Sequence, residues 1–404
     1  MCKKVEVSII KYWFHEIDYH NMNVRRSFLD RISTLPQPII DTILCLLPIE
    51  DAVRTSILSR DWRYRWTTIP ELFFDEVMIG AEQFFDAVNQ VLLLHQGPLL
   101  KFSLIEDEIR DEIGDELDQI ISHLSRMNTV KIFSLVLNKY NEYRLPLSFF
   151  SLHQLTNLHL HNVSIYDQPT FDGFGSLSSL YLHGVKISTK TLVHLVSSCP
   201  LLKRFTLFIR EHDILGNDVS SITDLIECLP VIERLVTSIW VIYSFNVDSL
   251  PQELPISLVH LKYLDIDDMC FLDCGGLPLL FLLIRSSPNL EKLKLGFYEG
   301  LAYDPRVRDS FKKNPVTLEG YSNIWLKNLN KLKIYGFFGF ELHLEFVLLI
   351  MAKSPMLKKV TIELTEEVTD DVESIVSRTL LHSPRASGSA KVIVKRETSE
   401  IYAF

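Results

Sequence analysis

The chain is short of most features that assign a class at a glance. No apolar run approaches the roughly 20 residues that span a bilayer, and the longest, Leu277 to Ile284, falls well below it. A membrane protein is therefore not expected. Six cysteines (Cys2, Cys45, Cys199, Cys228, Cys270 and Cys274) are scattered over 404 residues and form no disulfide framework, which points to a reducing intracellular compartment, nucleus or cytoplasm. Gly 15 and Pro 17 exclude collagen-like and low-complexity classes. The start, Met1 to Ile10, lacks the apolar centre of a signal peptide, because Glu6, Ser8 and the following Lys11 break it. Cations are also in deficit: Lys+Arg 41 against Asp+Glu 51 leaves a net charge of −10, which argues against nucleic acid or an anionic membrane as a general partner.

Catalytic and metal signatures are missing as well. Cys270 and Cys274 have no second cysteine pair, whereas a structural zinc needs about four ligands. His159 and His161 alternate with Leu158 and Leu160, so they belong on the open face of a strand rather than in a metal or base site. No Gly-x-Ser-x-Gly elbow, phosphate-cradling glycine loop or His-Glu-x-x-His helix occurs. No cofactor, no metal and no catalytic residue is expected. The acidic run Glu106 to Asp118, interrupted by Ile109, Ile113 and Leu117, reads as the solvated face of an amphipathic helix.

Leucine is what the chain has in excess, 62 residues of it. A Leu-x-x-Leu-x-Leu heading recurs at Val130/Phe133/Leu135, Leu155/Leu158/Leu160, Leu177/Leu180/Leu182, Leu202/Phe205/Leu207 and Ile232/Leu235/Thr237. It continues at Leu261/Leu264/Ile266, Leu290/Leu293/Leu295, Leu329/Leu332/Ile334 and Leu357/Val360/Ile362. The irregular spacing centres near the roughly 20–29 residues of leucine-rich repeats. Pro200, Pro230, Pro288 and Pro355 each stand two residues before a heading, where they end a helical run such as Leu192–Val196 and feed an extended strand. The pattern predicts one strand and one helix per repeat, stacked as a solenoid.

Ahead of the repeats, residues 30–75 read as three short helices. Ser33 or Thr34 can cap the first, with Pro36 in its opening turn and Ile39, Ile40, Ile43, Leu44 and Leu47 on one face before Pro48 ends it. Glu50 and Asp51 favour a second helix start, with Val53, Ile57 and Leu58 as its apolar side. Ser59 can cap a third, on which Trp62 and Trp66 lie four residues apart. Residues 1–29 match none of this and read as a poorly ordered extension, with Met22 as a possible alternative start.

The run Leu35-Pro36, Ile39-Ile40, Ile43-Leu44, Leu47-Pro48, Asp51, Val53-Arg54, Ser56, Leu58-Ser59-Arg60 and Trp62-Arg63 resembles the F-box. The C-terminal features Leu332-Lys333-Ile334, Gly336-Phe337, Gly339, Ser354-Pro355-x-Leu357-Lys358-Lys359 and Ser383-Pro384-Arg385 resemble the FBD section of plant F-box/FBD/LRR-repeat proteins. The resemblance implies an α/β chain: a three-helix F-box over 30–75, an irregular leucine-rich-repeat solenoid over 76–328, and an FBD-like section over 329–396. It further implies a non-catalytic subunit of a ubiquitin ligase that holds a Skp-type adaptor, and through it the cullin core, while a target protein sits on the repeats. The residues expected at the adaptor are Leu35, Pro36, Ile39, Ile40, Ile43, Leu44, Leu47, Pro48, Val53, Leu58 and Trp62, some of which must instead fill the module's own core.

Strand alternation places a second column opposite the leucines, on the predicted concave face. It runs Asn157/His159, Ser179/Tyr181, Arg204/Thr206, Arg234/Val236, Tyr263/Asp265, Lys292/Lys294, Lys331/Lys333 and Lys359/Thr361. His159, Tyr181, Arg204, Arg234, Lys292, Lys294, Lys331 and Lys333 are the candidate partner contacts. Exposed lysines also serve solubility or protect strand edges. An alternative reading is a scaffold or receptor outside any ligase, binding an acidic or small anionic ligand.

Overall fold

The computed structural model describes residues 32–396 except 111–112, 141–142, 167–172, 210–212, 216–219, 246–250, 252, 272–275 and 299–316. The N-terminal extension 1–29, Met22, Cys2 and Cys274 thus lie outside the described residues. The chain divides into two compact units, one ending at Leu177 and one beginning at Ser178.

The first unit opens with helices α1 (Gln37–Leu44) and α2 (Ile49–Arg54). Each starts directly after a proline, Pro36 or Pro48, whose fixed φ suits a helix entry, and neither has a side-chain cap. The expected cap Ser33 instead accepts a hydrogen bond from the Trp62 indole Nε1. The expected third α-helix is also absent: turns lead to a 3-10 segment, Arg65–Thr68. Thr67 and Thr68 turn their hydroxyls back onto the carbonyls of Tyr64 and Arg65, and Ile69 is already extended ahead of Pro70, so the segment stops after a single turn. Both tryptophans are buried.

The chain then enters four parallel strands in sequence order, β1 (Glu71–Asp75), β2 (Lys101–Ile105), β3 (Ile132–Val136) and β4 (Asn157–His161). Sequence headings marked β3 and β4 but not β1 or β2, although Ile69/Leu72/Phe74 and Leu99/Phe102/Leu104 carry the same spacing and are buried. Helices α3 (Glu76–Ile79), α4 (Phe84–Leu94) and α5 (Gly114–Met127) lie between them in sequence. Phe74, Phe102, Phe133 and Phe149 form a chain of ring contacts with centroids 5.8, 5.9 and 5.3 Å apart, each contact adding about 0.5–1.5 kcal/mol beyond simple burial. The acidic run does not form one helix: α5 begins only at Gly114, and Glu106 is buried at the end of β2, accepting the Asn138 backbone N–H at 3.2 Å. A neighbouring buried carboxylate, Glu76, accepts the N–H groups of Asp107 and Glu108 at 2.9 Å and pairs with Arg110.

In the second unit β6 (Ser179–His183), β8 (Arg204–Phe208), β9 (Arg234–Ser238), β10 (Tyr263–Met269), β11 (Lys292–Phe297), β12 (Lys331–Phe337), β13 (Lys359–Leu364) and β14 (Lys391–Arg396) pair in parallel, each with the next. The short strands β5 (Ser164–Ile165) and β7 (Lys186–Ile187) stand outside this succession. Every heading read from the sequence supplies a strand, and its leucine-type residues are buried. Helices α6 (Thr189–Ser197), α7 (Ile222–Glu227), α8 (Ile239–Tyr243), α9 (Gly276–Ser286), α10 (Glu341–Lys353) and α11 (Asp370–His382) follow strands in turn. Their apolar sides meet the leucine face, as where Ile222, Leu225 and Leu283 line a small apolar cavity with Phe205, Leu207 and Leu235. This is the succession of parallel strands and returning helices that defines a repeat solenoid. The apolar run Leu277–Ile284 lies within α9 and is buried.

Candidate docking surface

Helix α1 divides its apolar residues between two faces. Ile40 and Leu44, four apart, are buried; Ile39 and Ile43, also four apart, are exposed. Of the remaining residues expected at an adaptor, Val53 and Trp62 are buried, Leu35 is half-buried, and Pro36, Leu47, Pro48 and Leu58 are exposed. Leu58 is 65% exposed. The structure adds apolar residues that were not singled out for that surface, among them Leu46 at 81% and Ile57 at 42% exposure. Leu46 lies two residues beyond the end of α1 and could have been suspected from its place between Cys45 and Leu47. Burial of its neighbours Ser56 and Val53 leaves Ile57 outward, which alternation alone does not settle. The module is held by polar clasps beneath these side chains: Arg65 donates to the Gln37 side chain, which in turn donates to Asp41.

On the strands, the predicted column is present in register. Its first position runs Ser179, Arg204, Arg234, Tyr263, Lys292, Lys331, Lys359 and Lys391, each the Cα partner of the next. Its second position runs Tyr181, Thr206, Val236, Asp265, Lys294, Lys333, Thr361 and Ile393. Lys391 escaped the sequence reading because β14 lacks a leucine heading, although the alternation in Lys391-Val392-Ile393-Val394 was there to be read.

The two rows differ electrically. Second-row Lys294 donates to buried Asp265 at 3.1 Å, and Lys333 pairs with Glu363 at 2.9 Å, which Lys395 also reaches at 2.9 Å. Burial raises the Asp265 carboxyl, with Lys294 opposing. Burial also works to raise Glu363, but Lys333 and Lys395 outweigh it and hold that carboxyl below its ordinary value. The Tyr263 phenol, which donates to Asp265 at 3.0 Å, is pushed up to about 12, first by burial and then by that carboxylate.

First-row residues are freer. Lys292, Lys331, Lys359 and Lys391 are exposed and have no ion pair with a described residue. Arg234 lies over the Tyr263 ring at 3.8 Å, and Arg204 donates to the Ser179 hydroxyl. In the first unit His159 meets the Ser134 hydroxyl through Nδ1 at 3.2 Å, while Tyr181 of the second unit is half-buried and stacks on His183. Among the described residues no group of three or more His, Cys, Asp or Glu could hold a metal ion.

Known proteins resemble this chain in the same segments. The F-box domain model matches residues 32–74, and the model for the LRR repeats of FBD-associated F-box protein At5g56370 matches residues 117–250. F-box/FBD/LRR-repeat protein At1g13570 of Arabidopsis thaliana is 29% identical over 418 aligned residues, covering 90% of this chain and 98% of that protein. FBD-associated F-box protein At5g56370 of the same plant is 31% identical over 261 residues, or 62% of this chain and 57% of the relative. The solved structure of the leucine-rich repeat-containing protein LegL7 from Legionella pneumophila overlaps 90% of each chain at 14% identity and a TM-score of 0.36. With an F-box match over residues 32–74, a match to FBD-associated repeats behind it and a 29% identical relative aligned over most of its length, the chain is similar to the F-box/FBD/LRR-repeat proteins.

Proposed function

We propose that this chain is the substrate-recruiting subunit of a Skp–cullin–F-box ubiquitin ligase, acting inside the cell in the nucleus or cytoplasm. The F-box is a domain that generally binds Skp-type adaptors. The observation that carries the reading is a set of apolar side chains exposed within that domain: Ile39, Ile43, Leu46, Leu47, Ile57 and Leu58 are exposed, while Ile40, Leu44, Val53 and Trp62 belong to the private core. Apolar side chains on short helices and the turns that follow them suit a hydrophobic interface, since their burial contributes about 25 cal/mol per Å². The buried four act by holding α1 and α2 in place.

The target protein binds the repeat strands, where His159 of the first unit and Tyr181, Arg204, Arg234 and the lysine rows of the second supply polar and cationic groups. The chain needs no cofactor for this role and performs no bond chemistry. Its contribution is proximity: tethering an acceptor lysine beside a charged conjugating enzyme converts an encounter between separate molecules into one at high effective concentration. Co-elution of the purified full chain with a Skp-type adaptor on gel filtration tests the reading. The intact chain is expected to co-elute and a Leu35→Ala/Pro36→Ala variant to do so less; an intact, folded chain that elutes apart from the adaptor at micromolar concentration contradicts it.

A further inference from the structure

We propose that the first-position row of the second unit, Arg204, Arg234, Lys292, Lys331, Lys359 and Lys391, is a docking track for an extended Asp/Glu-rich segment of the target protein. The proposal rests on the reading of the chain as a substrate receptor and names the chemistry of what it receives.

The row is anomalous on three counts. Across eight successive strands it holds six cations and no carboxylate, in a chain whose net charge is −10. Several flanking cations are paired instead: one position earlier Lys203 pairs with Glu233 at 3.0 Å and Lys262 with Glu291 at 3.8 Å, and in the second row Lys294 and Lys333 each have a carboxylate. Like charges placed directly opposite on neighbouring strands repel, so Lys292, Lys331, Lys359 and Lys391 stand against the preference of the sheet itself. Edge protection does not account for Lys292, Lys331 and Lys359, because β11, β12 and β13 are paired on both sides; Lys391 stands on β14, the last strand of the ladder. Solubility would be served as well by mixed signs.

The geometry fits a strand-like occupant laid across the ladder. Neighbouring strands lie about 4.8 Å apart, so the six steps from Arg204 to Lys391 cover about 29 Å, the reach of roughly nine residues of extended chain. Tyr263 interrupts the cations at β10, and the Arg234 guanidinium carbon lies 3.8 Å from the centre of its ring. A guanidinium held in place by a ring can still give a carboxylate two parallel hydrogen bonds. The exposed lysines beyond it act as point charges whose long stems adapt to side-chain spacing. A long nucleic acid fits less well, since its many phosphates would meet the negative field of the whole chain rather than the row alone.

Fluorescence anisotropy of the full chain with a labelled peptide of about ten glutamates, beside glutamine-peptide and single-stranded RNA probes, tests this directly. The double variant Lys292→Glu/Lys359→Glu turns the lysine run into alternating signs, so it is expected to melt no lower than the parent while weakening glutamate-peptide binding about 10-fold or more. A control with the same charge change off the rows, Lys190→Glu/Lys327→Glu, is expected to weaken it no more than about 2-fold. Equal weakening by both variants, binding of glutamate and glutamine peptides alike, or tighter binding of the RNA overturns the track. If the glutamate peptide does not bind while the adaptor still co-elutes with the chain, the track falls and the receptor reading stands.

Discussion

Two side chains near the helical side of the second unit tie stability to pH in opposite directions. Asp268 sits at a left-handed φ of +57° in the irregular end of β10, and burial, followed by the charge of Asp267, pushes its carboxyl up to about 6. The unfolded chain releases this proton near the ordinary value of about 4, so the folded form is favoured at low pH and the contribution is lost as pH rises from about 4 to 6. Asn tolerates the same backbone conformation without the charge. Asp268→Asn is therefore expected to stabilise the protein by about 1–2 kcal/mol at neutral pH, after discount for partial exposure, with the gain vanishing below about pH 4. Denaturant titrations at a series of pH values measure this.

His343 has the reverse sign. It is stacked on Phe297 at 4.2 Å and 18°, with Phe271 edge-on at 5.3 Å, and burial pushes its imidazole down to about 3. The unfolded chain protonates near 6.5 and the folded chain does not, so stability present above that pH is lost as pH falls toward about 3. His343→Phe should flatten the acid side of the stability profile by one proton; an unchanged slope would show that the imidazole is not kept neutral.

At the scale of elements, the bulges of the ladder are as specific as its leucines. The β12–β13 register shifts between Ile334 and Phe337, and Gly336 there has φ +63° with the Phe297 carbonyl oxygen 2.3 Å from where a Cβ would stand. A side chain meets both a disfavoured conformation and neighbouring backbone. Gly336→Ala is expected to cost more than about 1 kcal/mol, read as a lowered denaturant midpoint, whereas Gly320→Ala, where a Cβ meets open space, should cost far less.

The strand ladder was legible because burial repeats: Phe133 and Leu135, or Leu293 and Leu295, face a hydrophobic layer in every turn of the solenoid, and composition records that directly. The same logic would have caught Leu99/Phe102/Leu104 had the headings been sought ahead of Val130. Other features depend on partners distant in sequence and could not be read locally. Glu106 carries an ordinary acidic-helix pattern, yet Asn138, 32 residues on, makes it a buried acceptor. Ile39 and Ile40 are alike as residues, and only the packing of α1 on the rest of the module separates the exposed one from the buried one. Likewise Lys292 and Lys294 look equivalent in sequence, but Asp265 of the neighbouring strand pairs with one and leaves the other exposed.

For the whole molecule, the division of labour follows from where apolar surface is left over. In the repeats the leucine-type residues are buried and the first strand row of the second unit is largely cationic; in the F-box a cluster of apolar side chains remains exposed. That set defines the most direct test of the account, calorimetric titration of the full chain with a Skp-type adaptor. Ile39→Ala and Leu58→Ala remove exposed side chains and should leave the melting temperature within about 1–2 °C of the parent. Each is expected to weaken adaptor binding about 10-fold, the loss of a well-packed apolar anchor at an interface core. Ile40→Ala, by contrast, should lower the melting temperature of the module first. Unchanged adaptor affinity in both Ile39→Ala and Leu58→Ala, or no measurable affinity in the parent chain, would contradict the assignment of this surface to the ligase.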